Sequence, residues 1–423
     1  MVLIERGLAL ADAPADAFAL TCMKGRVLHD LGSITASIEA YGRALDLAGT
    51  DHERCRARLG LAAGLRIADR YEEALAALDE AEVIAERDGL IHELADIHHL
   101  RGNLYFPMGR LEACREAHEK SLVYARQSGT AEAEAHALSG LGDADYMAGR
   151  MASAHDHFRR CVEVARRNGF GRIEVANRAM IGFSRIHLNQ LRDALADGAA
   201  AVEAAKTVGD QRAEMLGEML MVAVLWEMAE IAQAHEHNDR GLVLARQLGA
   251  PRFEAQCLMY DGKFARADGR RDDAIATLKQ ALAISERVGH GFRGPGIMSE
   301  LARNLTDPNE KRAALRKGER MLRAGSVSHN HFNFYQDAIE VSLEIGDWDA
   351  AERYVSALED FTGAKDLPWC RLFGNYGRAL AAWGRGQHGP EVRTEIARLH
   401  AEAEQLGFNR VLPKLHAALQ ANR

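Results

Sequence analysis

Apolar residues in this chain recur at intervals of three and four, the spacing that places side chains on one helix face. Tyr71, Ala74, Leu75, Leu78 and Ala81 form one such run. The runs themselves recur every forty residues. One small-residue column reads Ala81, Ser121, Cys161, Ala201, Gly241 and Ala281, and a second reads Ala74, Cys114, Ala154, Ala194, Ala234 and Ala274. Glycines hold the same interval at Gly49, Gly89, Gly129, Gly169, Gly209, Gly249 and Gly289. Between them runs a turn column of Asp69, Gly109, Gly149, Asn189, Ala229 and Gly269, and a further column of Gly102, Gly142, Gly182, Val222 and Gly262. A single compact core has no reason to repeat itself at fixed spacing, whereas a stack of like units does. Each unit reads as a helix, a tight turn, a second helix and a glycine stop. Glycine at the stop fits a left-handed helix C-cap. Small residues at fixed positions let neighbouring backbones approach closely. The expected fold is all-α: a right-handed superhelical solenoid of antiparallel helix pairs.

The period also divides the chain. Residues 1–14 read as a partial repeat holding only a second helix, and 15–289 as a regular array. In 290–328 the period breaks, with turn formers in HGFRGPG and LTDPNEKR, so an irregular or kinked repeat is expected. Residues 329–423 resume with altered spacing, as variant C-terminal repeats and a cap.

These columns resemble the tetratricopeptide repeat. That pattern places a small residue, a glycine, an aromatic and two alanines at fixed positions, filled here by Gly102, Gly109, Leu111, Cys114 and Ser121 in one unit. Ala62, Asp69, Tyr71, Ala74 and Ala81 fill them in the unit before. The period is longer than the family's usual one, and the aromatic and proline positions are weakly kept. The stretches RGNLYFPMGR, GLGDADYMAGRM and SHNHFNFYQDAIE resemble the C-terminal repeat region of bacterial class III adenylate/guanylate cyclase proteins that carry an ATPase module. That resemblance implies a noncatalytic regulatory arm of a signalling protein. Nothing in the chain matches the cyclase or ATPase modules themselves.

Composition narrows the function. With Lys+Arg 53 against Asp+Glu 61, the net charge of −8 disfavours nonspecific nucleic-acid binding. Six cysteines share no metal-binding spacing and read as reduced packing residues, which suits a cytoplasmic setting. No run of eighteen apolar residues suggests a membrane span. No phosphate loop, HExxH or nucleophile elbow is present, so neither a cofactor nor a catalytic residue is expected. His92, Asp96 and His99 share a helix face, but solvated or inter-helix hydrogen-bonded histidines explain them better than a metal does, and no HExxH is present, so no metal site is expected.

The concave surface lined by first helices is where a protein or peptide segment is expected to bind. Projecting the register places Asp96, His99, Asn103 and Phe106 on it in one unit, and His136, Ser139, Asp143 and Tyr146 in the next. Farther along come Ala223, Trp226 and Glu227, then Lys263 and Arg266, with Arg303, Glu340, Glu344 and Arg378 extending the groove. Aromatics supply contact area and polar groups supply direction. The competing expectation is a small-ligand sensor, in which occupation of the superhelix controls an attached or partner output module.

Overall fold

The computed structural model describes residues 1–11, 13–363 and 367–421. Among the described residues there are 22 α-helices, one 3-10 turn and no strand. Helix α1 (Val2–Leu10) precedes the pairs α2 (Pro14–Asp30) and α3 (Ile34–Leu47), α4 (Asp51–Ile67) and α5 (Tyr71–Asp88), and α6 (Ile91–Tyr105) and α7 (Leu111–Ser128). Next come α8 (Ala131–Met147) and α9 (Met151–Arg167), α10 (Gly171–His187) and α11 (Leu191–Val208), α12 (Gln211–Glu227) and α13 (Ile231–Gln247), and α14 (Pro251–Ala267) and α15 (Arg271–Val288). After these, α16 (Gly294–Asn304) has only 11 residues, followed by α17 (Pro308–Arg323), α18 (Ser328–Glu344) and α19 (Trp348–Thr362). The chain continues with α20 (Pro368–Gly384), α21 (Pro390–Leu406), the 3-10 turn Asn409–Val411 and α22 (Leu412–Gln420). This is the all-α helix-pair solenoid that the periodicity predicts. The helices form two compact units, residues 1–144 with 163–170, and residues 145–162 with 171–423.

The helix stops explain the period. Positive φ occurs at Asp69, Gly89, Gly109, Gly129, Gly149, Gly169, Asn189, Gly209, Ala229, Gly249, Gly269 and Gly289, one residue in every twenty. The turn column and the glycine column therefore do the same work, each ending a helix. At Gly129 the N–H donates to the Arg126 carbonyl at 3.2 Å, and the next N–H, of Thr130, reaches back to the Ala125 carbonyl at 3.1 Å. This pair of bonds satisfies carbonyls that a helix end leaves open. The same two bonds recur at Asp69–Arg70, Asn189–Gln190 and Ala229–Glu230.

Gly49 departs from the expectation. It is not left-handed; α3 ends in extended backbone at Ala48, and the Gly49 N–H donates to Glu53 Oε2 at 2.8 Å. Here the following helix supplies the stop, through a Thr50–Glu53 capping box. Ala229 adopts φ 62 with a Cβ, a conformation that costs a non-glycine residue roughly 1–2 kcal/mol. Ala229→Gly is expected to raise stability by about 0.5–1 kcal/mol, part of the relief being offset by the freer unfolded chain. Urea melts of the two proteins measure it; an unchanged or lower midpoint refutes the strain.

Both small-residue columns are buried. Ala154, Cys161, Ala194, Ala201, Ala234, Ala274 and Ala281 are essentially inaccessible. Ala201→Trp is expected to destabilise by about 1–3 kcal/mol through overpacking, again read by denaturant melts. All six cysteines are free thiols, and all but Cys22 are buried.

Within the second unit, the array touches itself at long sequence separation. Ser328 Oγ donates to the Tyr146 carbonyl across 182 residues. Asn409 Nδ2 donates to the Met228 carbonyl at 3.0 Å across 181 residues, and Arg410 meets Glu227 at 3.1 Å across 183. His187 packs on Trp369, with ring centroids 5.6 Å apart.

Candidate functional site

In the first unit, α6 and α8 bring together six of the residues expected from sequence. Asp96, His99 and Asn103 lie on α6 at helical spacing, and His136, Ser139 and Asp143 lie on α8. The rings of His99 and His136 are 5.3 Å apart, and Asn103 Nδ2 is 2.9 Å from His99 Nε2. All six are half-buried, so each keeps a face toward solvent. Phe106 follows the last residue of α6 and is half-buried too. Burial raises the Asp96 carboxyl above its ordinary value, against the opposing pull of His92. Burial also lowers His136 and drives His99 well below 6.5, where the neighbouring His118 and His136 add to the effect.

His118, on α7, underlies this row. Its ring fills space left by two glycines: a Cβ on Gly102 would sit 2.4 Å from it, and one on Gly140 2.2 Å. Gly102 of the glycine column and Gly140 outside it together leave a slot that the imidazole fills. Burial lowers His118 to about 4.

The second unit treats its expected residues differently. Tyr146 is 9% exposed and belongs to a hydrophobic core with Met151, Phe158 and Phe332. Trp226 is 3% exposed. Its ring faces three cations, Lys263 Nζ at 5.5 Å, Arg266 at 6.0 Å and Arg410 at 5.4 Å. Lys263 and Arg266 pair with the fully buried Glu300 at 3.3 and 3.4 Å. Arg303 pairs with Asp337 at 3.3 Å, Glu340 at 3.6 Å and Glu344 at 3.5 Å. Glu340 also accepts from the Tyr376 hydroxyl at 2.6 Å and pairs with Lys414. Burial pushes the Glu300 carboxyl up, but Arg266, Lys263 and Arg303 together hold it well below its ordinary value. Arg378 stands apart, bonded to the exposed Glu359 at 2.6 and 2.5 Å.

Sequence reasoning missed Glu300, Asp337, Arg410 and Lys414. Glu300 and Asp337 lie beyond the break at 290, on the same helices from which sequence reasoning took Arg303, Glu340 and Glu344. Arg410 reaches its site only through the long-range return of the chain.

One group of described residues has metal-ligand spacing. Donor atoms of His235, Asp239 and Asp261 lie within 4.8 Å of one another. His235 is paired with Asp239 at 3.3 Å, and Asp261 accepts from Asn238 Nδ2 at 2.7 Å, so protein partners already engage these groups. His92 and Asp96 approach at 3.7 Å, while His99 bonds to Asn103 instead.

Comparison with known proteins agrees with the helix-pair geometry. Tetratricopeptide repeat models match residues 20–51 and 93–167. The apo form of the quorum sensor NprR from B. thuringiensis has a TM-score of 0.58 at 12% identity, covering 81% of this chain and 98% of that one. The apo form of RapI has a TM-score of 0.57 at 10% identity, covering 88% and 98%. NprR in complex with its cognate peptide NprX has a TM-score of 0.50 at 15% identity, covering 72% and 94%. No curated protein matches the chain in sequence. At these identities the likeness concerns the fold: the chain carries tetratricopeptide repeats within an all-α solenoid. The comparisons do not show the resemblance to a cyclase–ATPase tail. No helix among the described residues is long and apolar enough to cross a membrane.

Proposed function

We propose that this protein is a noncatalytic regulatory scaffold that binds a protein or peptide segment along the α6–α8 row. The carrying observation is the set of half-buried polar side chains, Asp96, His99, Asn103, His136, Ser139 and Asp143, on two adjoining first helices. Groups of this kind direct a peptide backbone without an extended side-chain code. A protein of the same fold, NprR, has been crystallised with its cognate peptide, which supports the reading. The buried thiols support a noncatalytic role as well. Burial pushes Cys114, Cys257 and Cys370 up to about 12, so they are protonated and poor nucleophiles at neutral pH.

The test is a displayed random heptapeptide library panned on the wild type and on Asn103→Ala/Asp143→Ala. The wild type is expected to enrich a sequence family that the double variant binds about tenfold or more weakly, with helix content and melting temperature nearly unchanged. No enriched family, or one bound equally by the variant, refutes the proposal. Unfolding of the variant would make these groups structural.

A further inference from the structure

Helix α17 opposes the charge of the chain. It carries six Lys and Arg against two Glu, in a protein whose net charge is −8. Three guanidinium groups, of Arg312 and Arg316 from α17 and of Arg353 from α19, line a cavity of about 130 Å³ beside the junction of α18 and α19. Leu315, Ser342 and Tyr354 also line it, and all three are buried, so the cavity has a closed floor. Arg353 lies 4.1 Å over the Tyr354 ring, which holds its guanidinium at the rim. The arginines here outnumber the carboxylates. Arg312 donates through Nε alone, to Asp347 Oδ2 at 3.0 Å, and its two terminal nitrogens remain available. Arg353 Nη1 donates to Glu319 Oε1 at 3.1 Å, and the same oxygen accepts from Arg323 at 3.0 Å. Arg316 has no hydrogen bond or ion pair with a described residue. The flanking pairs Lys311–Glu344 and Lys317–Glu286 are each neutral together. Four guanidinium groups thus share two carboxylates around the cavity, an excess of two positive charges.

We infer that this cavity, lined by Arg312, Arg316 and Arg353, is a binding site for a phosphate group. Guanidinium forks match phosphate oxygens in bidentate pairs, and arginine is the side chain suited to this. The excess of two charges matches a dianion; a carboxylate would leave half of it uncompensated. The volume is that of about four water molecules, enough for a tetrahedral oxyanion but not for a nucleotide with its base and sugar. The ion pairs that Arg312 and Arg353 already make are partly exposed, so turning their remaining donors toward a ligand costs little. The site lies in the second unit and uses none of the six residues of the α6–α8 row. Its test needs no partner of that row, so either proposal can fail alone.

The test is a thermal-shift and calorimetric titration of the full chain with inorganic phosphate at about pH 8, where the dianion dominates. Chloride and acetate at equal ionic strength serve as controls. Phosphate is expected to raise the melting temperature and the controls are not. Arg316→Gln is expected to weaken phosphate binding about tenfold or more, with the ligand-free melt nearly unchanged because Arg316 has no partner to lose. Arg353→Gln is expected to weaken it as well. Arg320→Gln removes an equal charge from the same helix outside the cavity and is expected to bind as the wild type does. A second arm distinguishes the sources of the phosphate. If a phosphoserine tripeptide displaces inorganic phosphate and its unphosphorylated form does not, the group arrives on a protein segment; if inorganic phosphate binds and the tripeptide does not displace it, the ligand is a small phosphate. Absence of a phosphate-specific increment in the wild type overturns the site, as does an increment that survives both cavity variants. Equal weakening by Arg320→Gln overturns it too, since the effect would then be diffuse charge attraction. Binding of a single-stranded oligonucleotide without binding of inorganic phosphate also overturns it and makes α17 a polyanion-binding face instead. If Arg316→Gln fails to fold, an undiminished increment in Arg353→Gln is the overturning result.

Discussion

Glu300→Ala is expected to destabilise the second unit by about 3–5 kcal/mol, the cost of leaving buried charge without its partner. The carboxylate is fully buried and meets Lys263 at 3.3 Å and Arg266 at 3.4 Å, with Arg303 acting on it as well. Removing it strands cations that have little access to water, and the Trp226 ring offers them only partial compensation. The contrast is Glu395→Ala, which breaks an exposed pair with Arg398 at 2.7 Å and is expected to cost at most about 1 kcal/mol. Urea denaturation followed by circular dichroism measures both. Equal effects at the two sites would mean that the interior network is as well solvated as the surface.

Acid is expected to unfold the first unit before its carboxylates are titrated away. His118 is lowered by burial from 6.5 to about 4, and His98 reaches about 4 as well, burial outweighing the opposite pull of Glu82. The folded values lie below the unfolded one, so below pH 6.5 the unfolded chain binds more protons. Stability is therefore complete above about pH 6.5 and falls steadily as the pH drops toward 4. His118 alone contributes a loss of about 3 kcal/mol across that window. His118→Leu, which cannot take up the proton, is expected to flatten the dependence. A stability that is level between pH 6.5 and 4.5 in the wild type would show that these imidazoles find solvent or a partner on protonation.

The repeating part of this molecule was legible because each feature was stated many times over. The two small columns, the turn column and five of the seven periodic glycines do in the structure what their spacing predicted, while Gly289 has positive φ but an extended ψ of 129 and does not form the left-handed cap. Gly49 misled because a capping box can end a helix junction without a left-handed residue, and Thr50 and Glu53 were the signal for it. The α6–α8 row could be projected from the register. What a forty-residue period cannot encode is contact between residues several repeats apart. Tyr146 and Trp226 were expected to offer aromatic area to a partner; packing against later parts of the chain buries them. Arg312 and Arg316 were visible only as members of a basic run, and Arg353 joins them only through the packing of α17, α18 and α19.

The contacts at separations of 181 to 183 residues change how the second unit must fold. An open array of repeats can nucleate anywhere and grow by adding neighbours, because every contact is local. Here Asn409 and Arg410 find their places at the end of α12 only after about four and a half repeats between have ordered and curved correctly. That places a slow, high-contact-order step at the end of an otherwise fast assembly. It also fixes the number of repeats. Deleting or inserting one forty-residue unit between α12 and the 3-10 turn would carry Asn409 and Arg410 a full repeat away from Met228 and Glu227. The count of units, which open solenoids vary freely, is in this unit a condition of closure.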